Sequence, residues 1–120
     1  MGKAKSSAKP ADTSPPAATA TQEIYAASCG QNGIVQKIGK PITQAIATQL
    51  RQTGSDVVVC GPDVGANRRL AKWIEMSASG NCVVHPPHAS AGAYALPHCQ
   101  PDPRPPQGHT FYETANRKAV

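Results

Sequence analysis

All four histidines of the chain lie between Cys82 and His109, in the order Cys82, His85, His88, His98, Cys99 and His109. Histidine is the one side chain whose ordinary pKa lies near neutrality, and its ring nitrogens also bind borderline metals. The cluster therefore admits two chemistries: an acid and a base acting on a phosphodiester, or a metal site.

The acid–base chemistry needs only two histidines facing one phosphate. One would take the proton of a ribose 2′-hydroxyl and the other would protonate the leaving 5′-oxygen. A cation must then stabilise the charge that builds on the phosphoryl oxygens, and Arg104, Arg68, Arg69 and Lys72 are the candidates. His109 follows Gly108 at the start of a predicted strand, where a side chain is held better than in a loop. Period-two alternation puts Phe111 and Glu113 on the face of His109 and Tyr112 on the other, so Glu113 is expected to act with His109. His88 and His98 flank the small-residue stretch Ala89-Ser90-Ala91-Gly92-Ala93, a turn able to bring them together. His85, His88, His98, His109 and Glu113 are thus the candidate catalytic residues. The plain alternative for any single histidine is a hydrogen-bonded loop residue.

The metal chemistry would draw on Cys82, His85, His88, His98 and Cys99. Cys-x2-His and His-x2-His spacings can bring two donors to one zinc ion, and His98-Cys99 would complete a tetrahedron. Pro86-Pro87 stiffens the spacer, and the ligand order matches no common finger or ribbon. The expectation is therefore no cofactor, with zinc as the alternative. Adjacency of His98 and Cys99 does not make a nucleophilic dyad, because such pairs are set by the fold.

A third candidate is the junction from Val57 to Arg69, which reads as strand, glycine turn and helix. Backbone N–H groups at the helix start, with Arg68 and Arg69 close behind, would favour a phosphate, as in an enzyme acting on a nucleotide such as NAD. The plain reading, an ordinary turn with Asp63 as N-cap, is the stronger one.

These residues must be carried by the elements around them. Residues 1–22 hold Lys3, Lys5, Lys9 and prolines among Ala, Ser and Thr, with no apolar residue larger than alanine after Met1. Such a segment cannot offset its ordering entropy, so a disordered leader or linker is expected there. It lacks the apolar core of a secretory signal. Residues 23–120 are expected to form a single domain. Glu23 to Gly33 shows little periodicity, and Ile34-Val35 is a short strand or turn. A helix is predicted from Pro41 to Gln52, with Pro41 at its first position and Gly54 as its stop. Asp56 to Cys60 is a buried strand of β-branched residues. A second helix should run from about Gly65 to Met76, with Leu70, Trp73 and Ile74 inward and Arg68, Arg69, Lys72 and Glu75 mainly outward. Gly80 ends it, and Cys82 to Val84 is extended. From His85 to Gly108, prolines are frequent enough to predict an irregular loop. His109 to Glu113 has strand composition. The expected fold is α+β or small α/β: two helices on a sheet of three to four strands, with a long proline-rich loop.

The net charge of +5 comes from 12 Lys and Arg against 7 Asp and Glu. Three of the lysines and Asp12 belong to residues 1–22, which leaves nine against six in the rest. That bias is mild but compatible with a polyanion such as RNA. Tyr25, Trp73, Tyr94, Phe111 and Tyr112 do not interleave with basic residues, so a single-strand stacking platform is not indicated. No apolar run approaches a membrane span, and a monomer without membrane contact is expected. The cysteines do not settle the compartment. Cys60 and Cys82 border apolar runs, so free core thiols are at least as expected as disulfides, of which four cysteines allow three connectivities, while Cys29 and Cys99 read as accessible.

The blocks His85-Pro86-Pro87-His88, Ala95-Leu96-Pro97-His98 and Gly108-His109-Thr110-Phe111-Tyr112 resemble the C-terminal toxin domains of bacterial polymorphic toxins. These are carried by Rhs, contact-dependent and type VI secretion systems. The resemblance spans roughly residues 35–120 and rests on organisation and histidine-rich texture. It implies an effector secreted into the cytoplasm of a target bacterium and neutralised by a cognate immunity protein. Many such domains are nucleases. Together with the histidines, this makes a metal-independent ribonuclease the expected function. A zinc-stabilised nucleic-acid- or protein-binding module and an enzyme acting on NAD are the alternatives.

Overall fold

A computed structural model describes residues 22–30, 33–87 and 94–120. The leader predicted for residues 1–22 lies outside the described residues, except Gln22. That residue is buried and donates from Nε2 to Asn67 Oδ1 at 2.9 Å.

The elements are β1 (Glu23–Cys29), β2 (Val35–Ile42), α1 (Gln44–Gln52), β3 (Asp56–Cys60), α2 (Val64–Ser79), β4 (Val83–His85), β5 (His98–Gln100) and β6 (Thr110–Tyr112). The fold is α+β, with two helices packed on a mixed sheet. The sheet has six strands, not three or four, in the order β2-β1-β3-β6-β5-β4. All neighbours are antiparallel except β3 and β6.

Three of the strands depart from the sequence reading. β1 is rich in alanine and lacks a β-branched run, so its own residues do not announce it. It is held by pairing on both sides, to β2 and β3. Pro41, predicted to start a helix, sits in β2, an edge strand where a missing N–H is tolerated. Thr43 caps α1 instead, its Oγ1 accepting the Ile46 N–H at 3.2 Å. β5 lies within the segment predicted to be an irregular loop. His98–Gln100 is a proline-free stretch there, and it has a partner strand on each side.

The central elements follow the sequence closely. Val57, Val58 and Val59 are fully buried in β3. Asp63 caps α2 by accepting from Ala66 N at 3.0 Å, and Gly80 ends it in the left-handed conformation at φ 89°. A cap of the first kind stabilises a helix by about 1 kcal/mol.

The two faces of the sheet differ. Ile24, Val57, Val59 and Tyr112 meet Ala47 of α1 and Leu70, Ala71 and Ile74 of α2. Among the described residues, the opposite face has no helix. There Tyr25, Val58, Cys60 and Phe111 pack under Leu96 and Ala119, and the C-terminal residue bonds the β2 edge through Lys37 N and Val35 O. No helix among the described residues is long and apolar enough to cross a membrane.

Between the helices lies an ion pair that the sequence did not reveal. Arg51 Nε donates to Glu75 Oε1 at 2.8 Å, and both side chains are 0% exposed. Glu75, expected to face outward, lies inward because its carboxylate is shared. Oε1 also accepts from Thr110 Oγ1 at 3.0 Å and Oε2 from Ser79 Oγ at 2.7 Å. Arg51 Nη1 in turn donates to the carbonyls of Ser55 and Gln107. The pair thus grips the chain at Gln107 and at Thr110, on either side of His109.

A second staple joins Cys82 to Cys99, whose Cα atoms are 5.5 Å apart. Cys99 is fully buried, not accessible as its proline context implied. It pairs with Thr110, whose hydroxyl reaches α2, so it points to the helix side of the sheet. Cys29 is an exposed free thiol and Cys60 a buried one.

Candidate active site

The candidate site lies on the helix-free face. In antiparallel pairs, directly opposed residues share a face. The registers His85↔His98 and His98↔Phe111 therefore line these rings up across β4, β5 and β6. Parity along the chain adds His109, just before β6, on the side of Phe111. The His98 and His109 rings are 4.7 Å apart at 72°, and His85 stacks on His98 at 5.4 Å. Phe111 floors the group, 5.5 Å from His98 and 5.1 Å from His109.

His109 is fixed by Asp56. The Asp56 carboxylate accepts the His109 backbone N–H at 2.7 Å and lies 3.2 Å from Nδ1. The parallel register of β3 and β6 places the two residues side by side, although 53 residues separate them in sequence. A carboxylate on Nδ1 sets the tautomer and turns Nε2 to the other side of the ring, towards Arg104. The side chains of His109 and Asp56 are 31% and 20% exposed, so the pair is held yet reachable.

Arg104 completes the group. Its Nη2 lies 3.4 Å from His109 Nε2 and donates to Gln100 Oε1 at 3.0 Å, while Nη1 holds the carbonyls of Pro106 and Gly108. Four contacts on a guanidinium leave little rotational freedom, so its charge is preorganised beside His109.

His98 is pushed down to about 4, first by burial and then by the nearby charge of His109, against weaker support from the Leu96 backbone and Gln100. Among the described residues, its Nδ1 is buried and meets no partner in bonding geometry. Two imidazoles this close do not both carry a proton readily. Burial keeps His98 neutral, and Asp56 lies behind the other ring of the pair.

The structure brings together His85, His98, His109 and Arg104 of the sequence candidates. His88 lies outside the described residues. Glu113 does not join His109. Four residues of extended chain, roughly 13 Å, separate them along the strand. Glu113 instead clamps the chain: Oε1 accepts from Gly61 N at 3.2 Å and Oε2 from Ala119 N at 3.0 Å. The carboxylate that meets His109 is Asp56, and no local signal in the sequence pointed to it. Arg68, Arg69 and Lys72 are exposed on α2, in the layer across the sheet from the histidines. Arg68 acts electrostatically on Tyr112, a residue of the helix-side core.

Of the ligand set Cys82, His85, His88, His98 and Cys99, the four described members are not gathered. Its two cysteines are joined to each other, with Cys99 on the helix side and His85 and His98 on the other. Among the described residues no group of three His, Cys, Asp or Glu is placed to hold a metal ion. At the Gly61–Arg69 turn, Asp63 occupies the start of α2 with its own carboxylate, as an ordinary cap does. Comparison with protein-family models, curated proteins and solved structures found no match to the chain.

Proposed function

We propose that the protein is a ribonuclease that cleaves RNA by histidine acid–base chemistry, without a metal. The observation that supports this most is the unequal pair His98 and His109, with Asp56 behind one ring and Arg104 beside it. His98 Nε2 takes the proton of a ribose 2′-hydroxyl as that oxygen attacks phosphorus. His109 Nε2 gives its proton to the departing 5′-oxygen. Arg104 meets the negative charge on the phosphoryl oxygens. The products are a 2′,3′-cyclic phosphate and a free 5′-hydroxyl, and His98 ends the step protonated. His85, stacked on His98, limits the directions in which that ring can turn.

The reading extends to an antibacterial effector that is secreted into a target cell and neutralised by an immunity protein. The toxin-like organisation of the C-terminal region supports it. So does the Cys82–Cys99 disulfide, a bond that persists in oxidising compartments outside the cytoplasm.

The test is end-group analysis of RNA treated with the purified protein in excess EDTA. Cyclic phosphate termini are expected, and His98→Ala and His109→Ala should both abolish them while the circular dichroism spectrum stays unchanged. Full activity in both variants would overturn the proposal. Parallel incubations with DNA and with NAD separate the alternative substrates.

A further inference from the structure

A half-open cavity of about 130 Å³ adjoins the two histidines. It is lined by the rings of Phe111, His98 and His109 and by Ala95, Leu96, Cys29 and Gly33. Three of these seven residues are flat rings at mutual angles of 40°, 69° and 72°. Gly33 contributes backbone alone, at φ 78°.

Such a space selects its occupant by shape. A cavity of about 150 Å³ is filled by one benzene ring. The space here therefore takes a single six-membered ring, and a fused bicyclic ring leaves half of itself outside. Flat apolar walls favour a planar occupant, and stacking a base on aromatic rings stabilises it by about 1–3 kcal/mol. The occupant must also reach the acid–base pair, because His98 and His109 belong to both the cavity and the pair. A planar ring linked through ribose to a phosphate meets all three conditions.

We propose that this cavity is a base subsite for pyrimidine nucleotides, so that the chain is cut on the 3′ side of uridine and cytidine. The placement of the phosphate rests on the ribonuclease reading above, whereas the fit of the ring rests on the cavity alone. Discrimination comes from size, for which roughly 10- to 200-fold is the usual range.

Cys29 gives a readout that does not depend on cleavage. It lies on the cavity wall as an exposed free thiol, its pKa raised by burial of its sulfur and by Asp56, and is expected to react with iodoacetamide at alkaline pH. Cys60, buried and pushed up to about 12, serves as the slow internal control. Uridine 3′-monophosphate is expected to slow alkylation of Cys29, measured by mass spectrometry. Adenosine 3′-monophosphate should require at least roughly tenfold higher concentration for the same effect, and inorganic phosphate should give none. Cys29→Trp, at an exposed position, fills the cavity and should abolish nucleotide binding measured by calorimetry.

Mapping of cut sites in a mixed RNA completes the test. Protection by the uridine nucleotide with cuts after pyrimidines supports the proposal. Protection without any RNA cleavage keeps the subsite and removes the ribonuclease reading. Cleavage with no base preference and no protection overturns the subsite and leaves the ribonuclease reading standing. Equal protection by both nucleotides overturns the pyrimidine assignment.

Discussion

Replacing Glu75 by leucine strands the Arg51 guanidinium in the interior. In the native protein that guanidinium is 0% exposed, its Nε is 2.8 Å from the carboxylate, and among the described residues its Nη2 already lacks a partner. Removing one member of a buried pair leaves a charge with no compensation, at a cost of about 3–5 kcal/mol. Domains of this size have about 5–15 kcal/mol in all, so the thermal midpoint should fall by on the order of 20 °C. The double variant Arg51→Met, Glu75→Leu removes the stranded charge. It leaves the Ser55 and Gln107 carbonyls short of a donor, but these bonds are only part-buried and water can replace them. The double variant is therefore expected to be more stable than Glu75→Leu by at least about 1 kcal/mol. Urea denaturation at pH 7 of the wild type and the two variants measures this, with equal slopes as the control for two-state unfolding. A loss below about 1 kcal/mol in Glu75→Leu, or a double variant less stable than that single one, would refute the reasoning. Because the pair holds Gln107 and Thr110, Glu75→Leu should also lower activity by loosening His109.

Stability should fall as pH drops from about 6.5 towards 4. In that window unfolded His98 binds a proton that the buried native ring refuses, so the unfolded state gains with acid. Discounted for partial solvent exposure, the contribution is about 1–2 kcal/mol, and a denaturation series that stays flat in wild type but not in His98→Gln would contradict it. Reducing the Cys82–Cys99 bond, which closes a separation of 17 residues, should cost about 3 kcal/mol, and an unchanged urea midpoint in dithiothreitol would count against that. Gly108→Ala should destabilise strongly. Its φ is +87°, and the new Cβ would lie 2.6 Å from both Arg51 Nη1 and the Gly54 carbonyl oxygen, so a midpoint near that of wild type would rule out the clash. Asp56→Asn should leave the fold intact but slow RNA cleavage at least roughly tenfold by disturbing the His109 tautomer, and an unchanged rate would separate Asp56 from the chemistry.

The sequence declared what local patterning can declare. The run Val57-Val58-Val59-Cys60 and the helix between Asp63 and Gly80 carry their own burial pattern and caps, and both lie where expected. β1 and β5 were hidden because alanines and flanking prolines carry no strand signal, and pairing with neighbours supplies what they lack. The histidine cluster was visible as composition, yet its sorting was not. Asp56 reaches His109 only through the parallel pairing of β3 with β6, and that register is a long-range fact. Glu75 looked like a surface charge because it is polar when taken alone, and nothing in the sequence marked Arg51 as its buried partner. Glu113 matched the alternation of the strand, but the chain passes the end of β3 there and its carboxylate meets backbone amides.

The central claim, that His98 and His109 form an acid–base pair, is tested most directly by single-turnover cleavage of a dinucleoside phosphate in excess EDTA. The wild type should cleave it, and His98→Ala and His109→Ala should each be slower by about 10²–10⁴-fold. Cleavage at the wild-type rate by either variant would contradict the claim.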